Sequence, residues 1–266
     1  MNYQKLLIDN FTYKTTYVAR HVQGMSVKET KDYIAVDCGL PADTFNIITI
    51  LNNNLTDGNE ELCAEIEHFN QKRFPVSVWY WDEMQENNFK NELLKLNLIE
   101  AEHNIAMIAD LKTIRPTIDV PTDFTIQKIT TLLQLQKFGE TLAALFGTSM
   151  GGTHVQAYYN QISSLNLWNS EDLKLYIGLY KNQVVSVGSL VCTKESVGIY
   201  DIATIEEMRG KGFGSTMFNF LLQEAKRLKE TYCVLQASPD GINIYKKSGF
   251  QAVGQMTVFE NRHLFE

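Results

Sequence analysis

The 266-residue chain has little of what marks several protein classes. Its four cysteines, Cys38, Cys63, Cys192 and Cys233, stand far apart with no CxxC pair, so neither a zinc site nor a disulfide framework is indicated. Buried free thiols are expected instead. No apolar run nears the ~20 residues that a membrane crossing needs, and the first residues lack the basic-then-apolar pattern of a secretory signal. The expectation is a cytoplasmic protein without a membrane partner. An excess of basic charge is also missing. Residues 1–120 hold 11 Lys+Arg against 18 Asp+Glu, and residues 121–266 hold 13 of each, so the net charge of −7 sits wholly in the first part. That balance argues against a nucleic-acid binder; it mildly favours a cationic partner, with solubility as the stronger competing explanation.

What is present points to a packed protein: 44% of residues are apolar and 21% charged. The length suits two domains. Of only five prolines, Pro116 and Pro121 fall close together, which forbids a helix and disfavours a central strand there. The boundary is therefore expected across residues 115–121, giving domains 1–120 and 121–266.

After that boundary, hydrophobic periodicity predicts a strand near residues 124–129, helices over 132–146 and 155–165, then three strands over 173–180, 184–191 and 197–204. A glycine-bearing loop follows, Arg209-Gly210-Lys211-Gly212-Phe213-Gly214, and leads into a helix predicted from Ser215 to about residue 229. A strand over 232–237, a short helix over 242–247 stopping at Gly249, and a last strand over 250–259 complete the order βααβββαβαβ. The fold class is α/β (α+β), a mixed, mostly antiparallel central sheet flanked by helices. The first part echoes the closing βαβαβ, with strands at 45–50, 76–81 and 105–111 and helices at 60–72 and 88–96. Laying residues 94–99 on 245–250 pairs Leu94 with Tyr245. The loop at residues 51–59 lacks the cationic, thrice-glycine character of its counterpart, so the first part reads as a degenerate copy.

The glycine loop carries the chemistry. Glycine allows the backbone to come close to a ligand, and the unpaired amides of a helix N-terminus bind an anion such as a diphosphate. Arg209 and Lys211 add positive charge at the same place. The spacing is neither GxxxxGK[ST] nor GxGxxG, so a nucleoside-triphosphate loop and a dinucleotide fingerprint are unsupported.

The loop resembles the [QR]xxGx[GA] motif of the GNAT superfamily, the acyl-CoA-dependent N-acyltransferases. Ala237-Ser238-Pro239-Asp240-Gly241, with Tyr245, Gly249 and Phe250, is similar to that family's closing ASxxGxxxYxxxGF. The resemblance covers about residues 122–260 and implies a GNAT-like fold with a degenerate N-terminal copy. It further implies acetyl-CoA as acyl donor, no metal, and a small-molecule amine as acceptor. By the same resemblance, the strand before the loop splays from its neighbour and Ile202, Ala203 and Thr204 contact the pantetheine arm. Amides of Lys211, Gly212, Phe213, Gly214 and Ser215, beside Arg209 and Gly210, hold the pyrophosphate. Ser238 takes the place where many relatives carry an asparagine that contacts the pantetheine.

Acyl transfer from a thioester needs a neutral amine and a proton for the departing thiolate. Tyr245 is the candidate acid, since a phenol is protonated at neutral pH and the family motif places its tyrosine there. Asp201 is the candidate base, a carboxylate within an apolar strand where charge is costly unless paired or used; pairing with a neighbour is the competing role. Glu206 and Glu207 read as solvated, and His154 as a surface helix residue or a lining of the acceptor cleft. The alternative function is an acyl-CoA-binding sensor or scaffold without transferase activity.

Overall fold

The computed structural model describes residues 2–51, 59–82, 87–116, 120–147, 149–167, 170–228, 230–238 and 241–265. The first element is a helix, α1 (Tyr3–Ala19), followed by β1 (Ser26–Glu29), β2 (Tyr33–Asp37), β3 (Ile47–Ile50), α2 (Glu60–Lys72), β4 (Ser77–Trp81), α3 (Asn87–Lys95) and β5 (Ile99–Asp110). The second part runs β6 (Phe124–Lys128), α4 (Leu132–Ala143), α5 (Met150–Gln161), β7 (Leu173–Tyr180), β8 (Gln183–Cys192), β9 (Ser196–Thr204), α6 (Phe213–Lys226), β10 (Tyr232–Ala237), α7 (Ile242–Lys247) and β11 (Gln251–Glu260).

The eleven strands of the described residues form one sheet in the order β1-β2-β3-β4-β11-β5-β10-β9-β8-β7-β6. Among the described residues only β3 with β4 and β9 with β10 pair in parallel, which makes the sheet mixed and mostly antiparallel. The final strands are exchanged. β5 lies between β10 and β11, while β11 lies between β4 and β5. Each part thus finishes its stretch of sheet with the other part's last strand, so neither stretch closes without the other. Period-2 alternation sorts the side chains to two faces. On one face α1, α4 and α5 bury Leu7, Phe11, Phe138 and Tyr159 against Ala106, Val187, Tyr200 and Val234. On the other, α6 packs Met217, Phe218 and Leu221 onto Met107, Leu190 and Leu235, and α2 with α3 covers Tyr33, Ile48 and Val78.

Sequence periodicity misses α1, β1 and β2. It also starts three elements late: α5 begins at Met150 and not at 155, β5 begins at Ile99, and α6 begins at Phe213. The helix α1 carries a weak apolar stripe because two of its buried positions, Asn10 and Thr16, are polar. Asn10 is 0% exposed; its Nδ2 donates to Val191 O, Ser196 O and Ser196 Oγ, and its Oδ1 accepts from the Tyr200 hydroxyl. Gly198 permits this approach, since a Cβ there would lie 2.1 Å from Asn10 Oδ1. The repeat is shifted by one residue relative to the sequence alignment. Asn97 and Gly249 both adopt left-handed backbone after their helices, and Leu98 and Phe250 donate to Leu93 O and Tyr245 O. The counterpart of Tyr245 is therefore Leu93, which is fully buried, and not the exposed Leu94. Of the linker at residues 115–121, residues 117–119 lie outside the described residues, as do 52–58 of the first part's loop.

Candidate active site

Parallel pairing between β9 and β10 is short. Ser196, Val197 and Gly198 face Tyr232, Cys233 and Val234, and there the pairing stops. Beyond it, Leu235, Gln236 and Ala237 continue to pair only with β5, whereas the rest of β9 follows β8. The two strands part at their carboxyl ends, the place where open α/β sheets receive ligands. The cause is a bulge. Val187 pairs with Ala203 and Ser189 with Tyr200, so Asp201 and Ile202 together oppose Gly188. Asp201 has φ +56, an uncommon conformation for a residue with a Cβ. β3, the equivalent strand of the first part, pairs with β2 in unbroken register.

Ile202, Ala203 and Thr204 form the stretch of β9 that has left β10. Ala203 O accepts from Ser186 Oγ, and Thr204 Oγ1 bonds Ser186 Oγ at 3.3 Å. After a 3-10 turn at Glu206–Met208, Arg209 donates from Nε back to Thr204 O. Lys211 Nζ is held by Glu207 O at 2.8 Å, and Glu206 and Glu207 are exposed or nearly so. Gly212 caps α6 with φ +88, a conformation that only glycine takes without strain, and offers no side chain to the helix. The first described intrahelical partner is Thr216 N on Gly212 O, so Phe213, Gly214 and Ser215 present amides at a terminus whose first turn holds no acidic residue. The corresponding α2 differs in both respects. Asn59 Oδ1 accepts from Leu62 N, and Glu60 and Glu61 occupy the first turn. An anion would meet a filled cap and two carboxylates at α2 but open amides at α6.

Tyr245 stands on α7, edge-on to Phe218 with centroids 5.0 Å apart. Burial pushes its phenol above the ordinary 10.0. Among the described residues its hydroxyl has no hydrogen-bond partner, and the ring edges a cleft of about 430 Å³ that also reaches Ser238, Gln236 and Ile202. Pro239 and Asp240 of the closing motif lie outside the described residues. The cleft runs beneath Leu142, Phe146, Val155 and Tyr159 of the α4–α5 segment and ends among Asp43, Glu102, Glu260 and Arg262. His154 is not among its walls, although its neighbour Val155 is.

Asp201 also lines the cleft, and its carboxylate is engaged twice. Lys14 Nζ of α1 lies 3.1 Å from Oδ1, and Ser189 Oγ donates to Oδ2 at 2.6 Å. The pair is 27% and 19% exposed, so the neighbour-pairing role is realised, with a partner from the other end of the chain. No sequence signal links Lys14 or Asn10 to this site, because both reach it only through the packing of α1.

Residues 146–265 match the family model described as an Acetyltransferase (GNAT) domain. No curated protein sequence matches the chain. Among solved structures, a GCN5-related N-acetyltransferase from Kribbella flavida superposes with a TM-score of 0.66 at 9% identity, covering 96% of this chain and 95% of that one. A conserved protein of unknown function from Staphylococcus epidermidis gives 0.64 at 18% identity over 90% and 94%. A tandem GNAT protein from the clavulanic acid biosynthesis pathway gives 0.57 at 9% identity over 96% and 94%. Almost the whole chain therefore shares the fold of GNAT proteins, tandem ones included, and residues 146–265 match the GNAT acetyltransferase domain model.

Proposed function

We propose that the protein is an N-acetyltransferase that moves an acetyl group from acetyl-CoA to a primary amine of a small molecule. The observation that carries this is the parting of β9 from β10 in the cleft that Tyr245 lines, with the uncapped N-terminus of α6 following β9 directly along the chain. In this reading the diphosphate sits on the amides after Gly212 beside Arg209 and Lys211. The pantetheine arm lies against Ile202, Ala203 and Thr204, with Ser238 across from it.

In the transfer step the amine nitrogen attacks the thioester carbonyl, a C–N bond forms, and the C–S bond breaks. The thiolate takes its proton from Tyr245. The raised phenol pKa supports this role, because the group stays protonated throughout the neutral range. The amine must lose a proton as well. Asp201, already bound to Lys14 and Ser189, is better suited to fixing the bulge than to accepting that proton directly, so water within the cleft is the more suitable first acceptor. Residues 1–120, by this proposal, form a degenerate GNAT-like domain that no longer binds the donor and instead builds the far wall of the acceptor cleft.

Purified protein mixed with acetyl-CoA and a panel of primary amines should release free thiol. Tyr245→Phe should lower kcat by about 10²- to 10⁴-fold, the range of general acid catalysis, and leave CoA affinity in place. Unchanged turnover in that variant removes the acid role. CoA binding without turnover over the whole panel would instead favour a sensor or scaffold.

A further inference from the structure

One cavity joins the transfer end, at Tyr245 and Ser238, to a far end built by the strand exchange. β10 stops opposite Ile105, but β5 runs on from there to Ile99 with β11 alone beside it. Glu102 and Asn104 of this extension line the cleft, with Val258 and Glu260 of β11, Trp79 of β4, and Phe45. Glu102 lies three residues from Ile105, which at a strand rise of ~3.3 Å per residue is about 10 Å along the sheet from the end of β10.

Charge in this cavity is unbalanced. Its walls carry two cations, Lys14 and Arg262, against four carboxylates, Asp43, Glu102, Asp201 and Glu260. Lys14 is committed to Asp201. Arg262 is shared, with Nε 2.6 Å from Asp43 Oδ2 and a terminal nitrogen 3.4 Å from Glu260 Oε2. Glu102 is exposed, accepts from the Asn104 amide at 3.1 Å and has no ion pair among the described residues. Burial, then the neighbouring Asp43 and Glu102 carboxylates, raise the Glu260 carboxyl above its usual range even though Arg262 pulls it down. The Trp79 and Phe45 rings beside these groups add apolar faces that tolerate a cation.

We propose that the acceptor is a dication: it offers one primary amine at Tyr245 and carries a second cationic centre that Glu102 and Glu260 hold at the far end. This rests on the transferase reading for the site of reaction, and on the cavity alone for the second charge. The ~10 Å between the end of β10 and Glu102 suits an extended aliphatic diamine better than a short one.

The test compares kcat/KM for hexylamine, 1,3-diaminopropane and 1,6-diaminohexane in the full-length protein and in Glu102→Gln, with calorimetric titration of 1,6-diaminohexane onto each. The expected result is a preference of about 10-fold for 1,6-diaminohexane over the other two, the size of one charge-assisted contact, falling towards equality in Glu102→Gln and partly restored in Glu102→Asp. Equal kcat/KM for hexylamine and 1,6-diaminohexane, or a ratio that Glu102→Gln leaves in place, overturns the inference while acetyl transfer stands. Glu102-dependent binding of the diamine without thiol release supports the cation site and overturns the transfer. Neither binding nor turnover overturns both.

Discussion

Replacing Asn10 by alanine should cost this protein about 3–4 kcal/mol of stability. In the native fold the amide group donates to two backbone carbonyls and the Ser196 hydroxyl, and accepts from Tyr200, all with full burial. Three of these contacts at ~1 kcal/mol net each, with a small void left where the amide stood, give that figure. Gly198 and the Tyr200 ring close on the site, so no neighbour has room to rotate in and replace the lost group. Asn10→Asp should cost at least as much, because it keeps the acceptor for Tyr200 but turns a buried donor into a charge facing two carbonyls. Urea denaturation reads both: the midpoint falls and the slope stays, as for a change in stability without a change in exposed surface. If both variants unfold within ~0.5 kcal/mol of the parent, the size expected of an ordinary surface substitution, α1 is not pinned across β8 and β9 by this side chain and the account of how the first helix joins the second part fails.

Gly212→Val places a β-branched residue at φ +88, a cost of roughly 1–2 kcal/mol, and disturbs the amides that open α6. CoA affinity measured by calorimetry should fall more than overall stability does; equal binding removes the diphosphate from this helix end. Glu260 binds its proton more tightly folded than unfolded, so its contribution to stability is fully present below its ordinary 4.5 and is lost as pH rises through the raised folded value. Glu260→Gln should accordingly raise the thermal midpoint at pH 7 relative to the parent, with the difference closing below 4.5; a lowered midpoint at pH 7 contradicts the sign. Because the Tyr245 phenol titrates above 10.0, phenol ionisation should produce no loss of kcat in the neutral range, and an alkaline limb present in the parent should be absent in Tyr245→Phe.

The sequence determined what depends on neighbours along the chain. Gly212 at a strand-to-helix turn, the 3.6-residue stripe of Met217, Phe218 and Leu221, and the tyrosine four residues before Gly249 are all set by local backbone chemistry, and each lies where its pattern indicated. Tertiary structure alone decided the partners. β5 and β11 read as ordinary final strands, because a strand's alternation records that one face is buried and carries no label for the strand that will lie beside it. The polar core of α1 hid from periodicity for a related reason: Asn10 is buried like an apolar residue only because its hydrogen-bond partners arrive from residues 191–200. Similarly long stretches of sequence separate Lys14 from Asp201, and Asp43 and Glu102 from Glu260 and Arg262. The charge pattern of the cleft exists only once the exchanged strands bring both ends of the chain to one cavity.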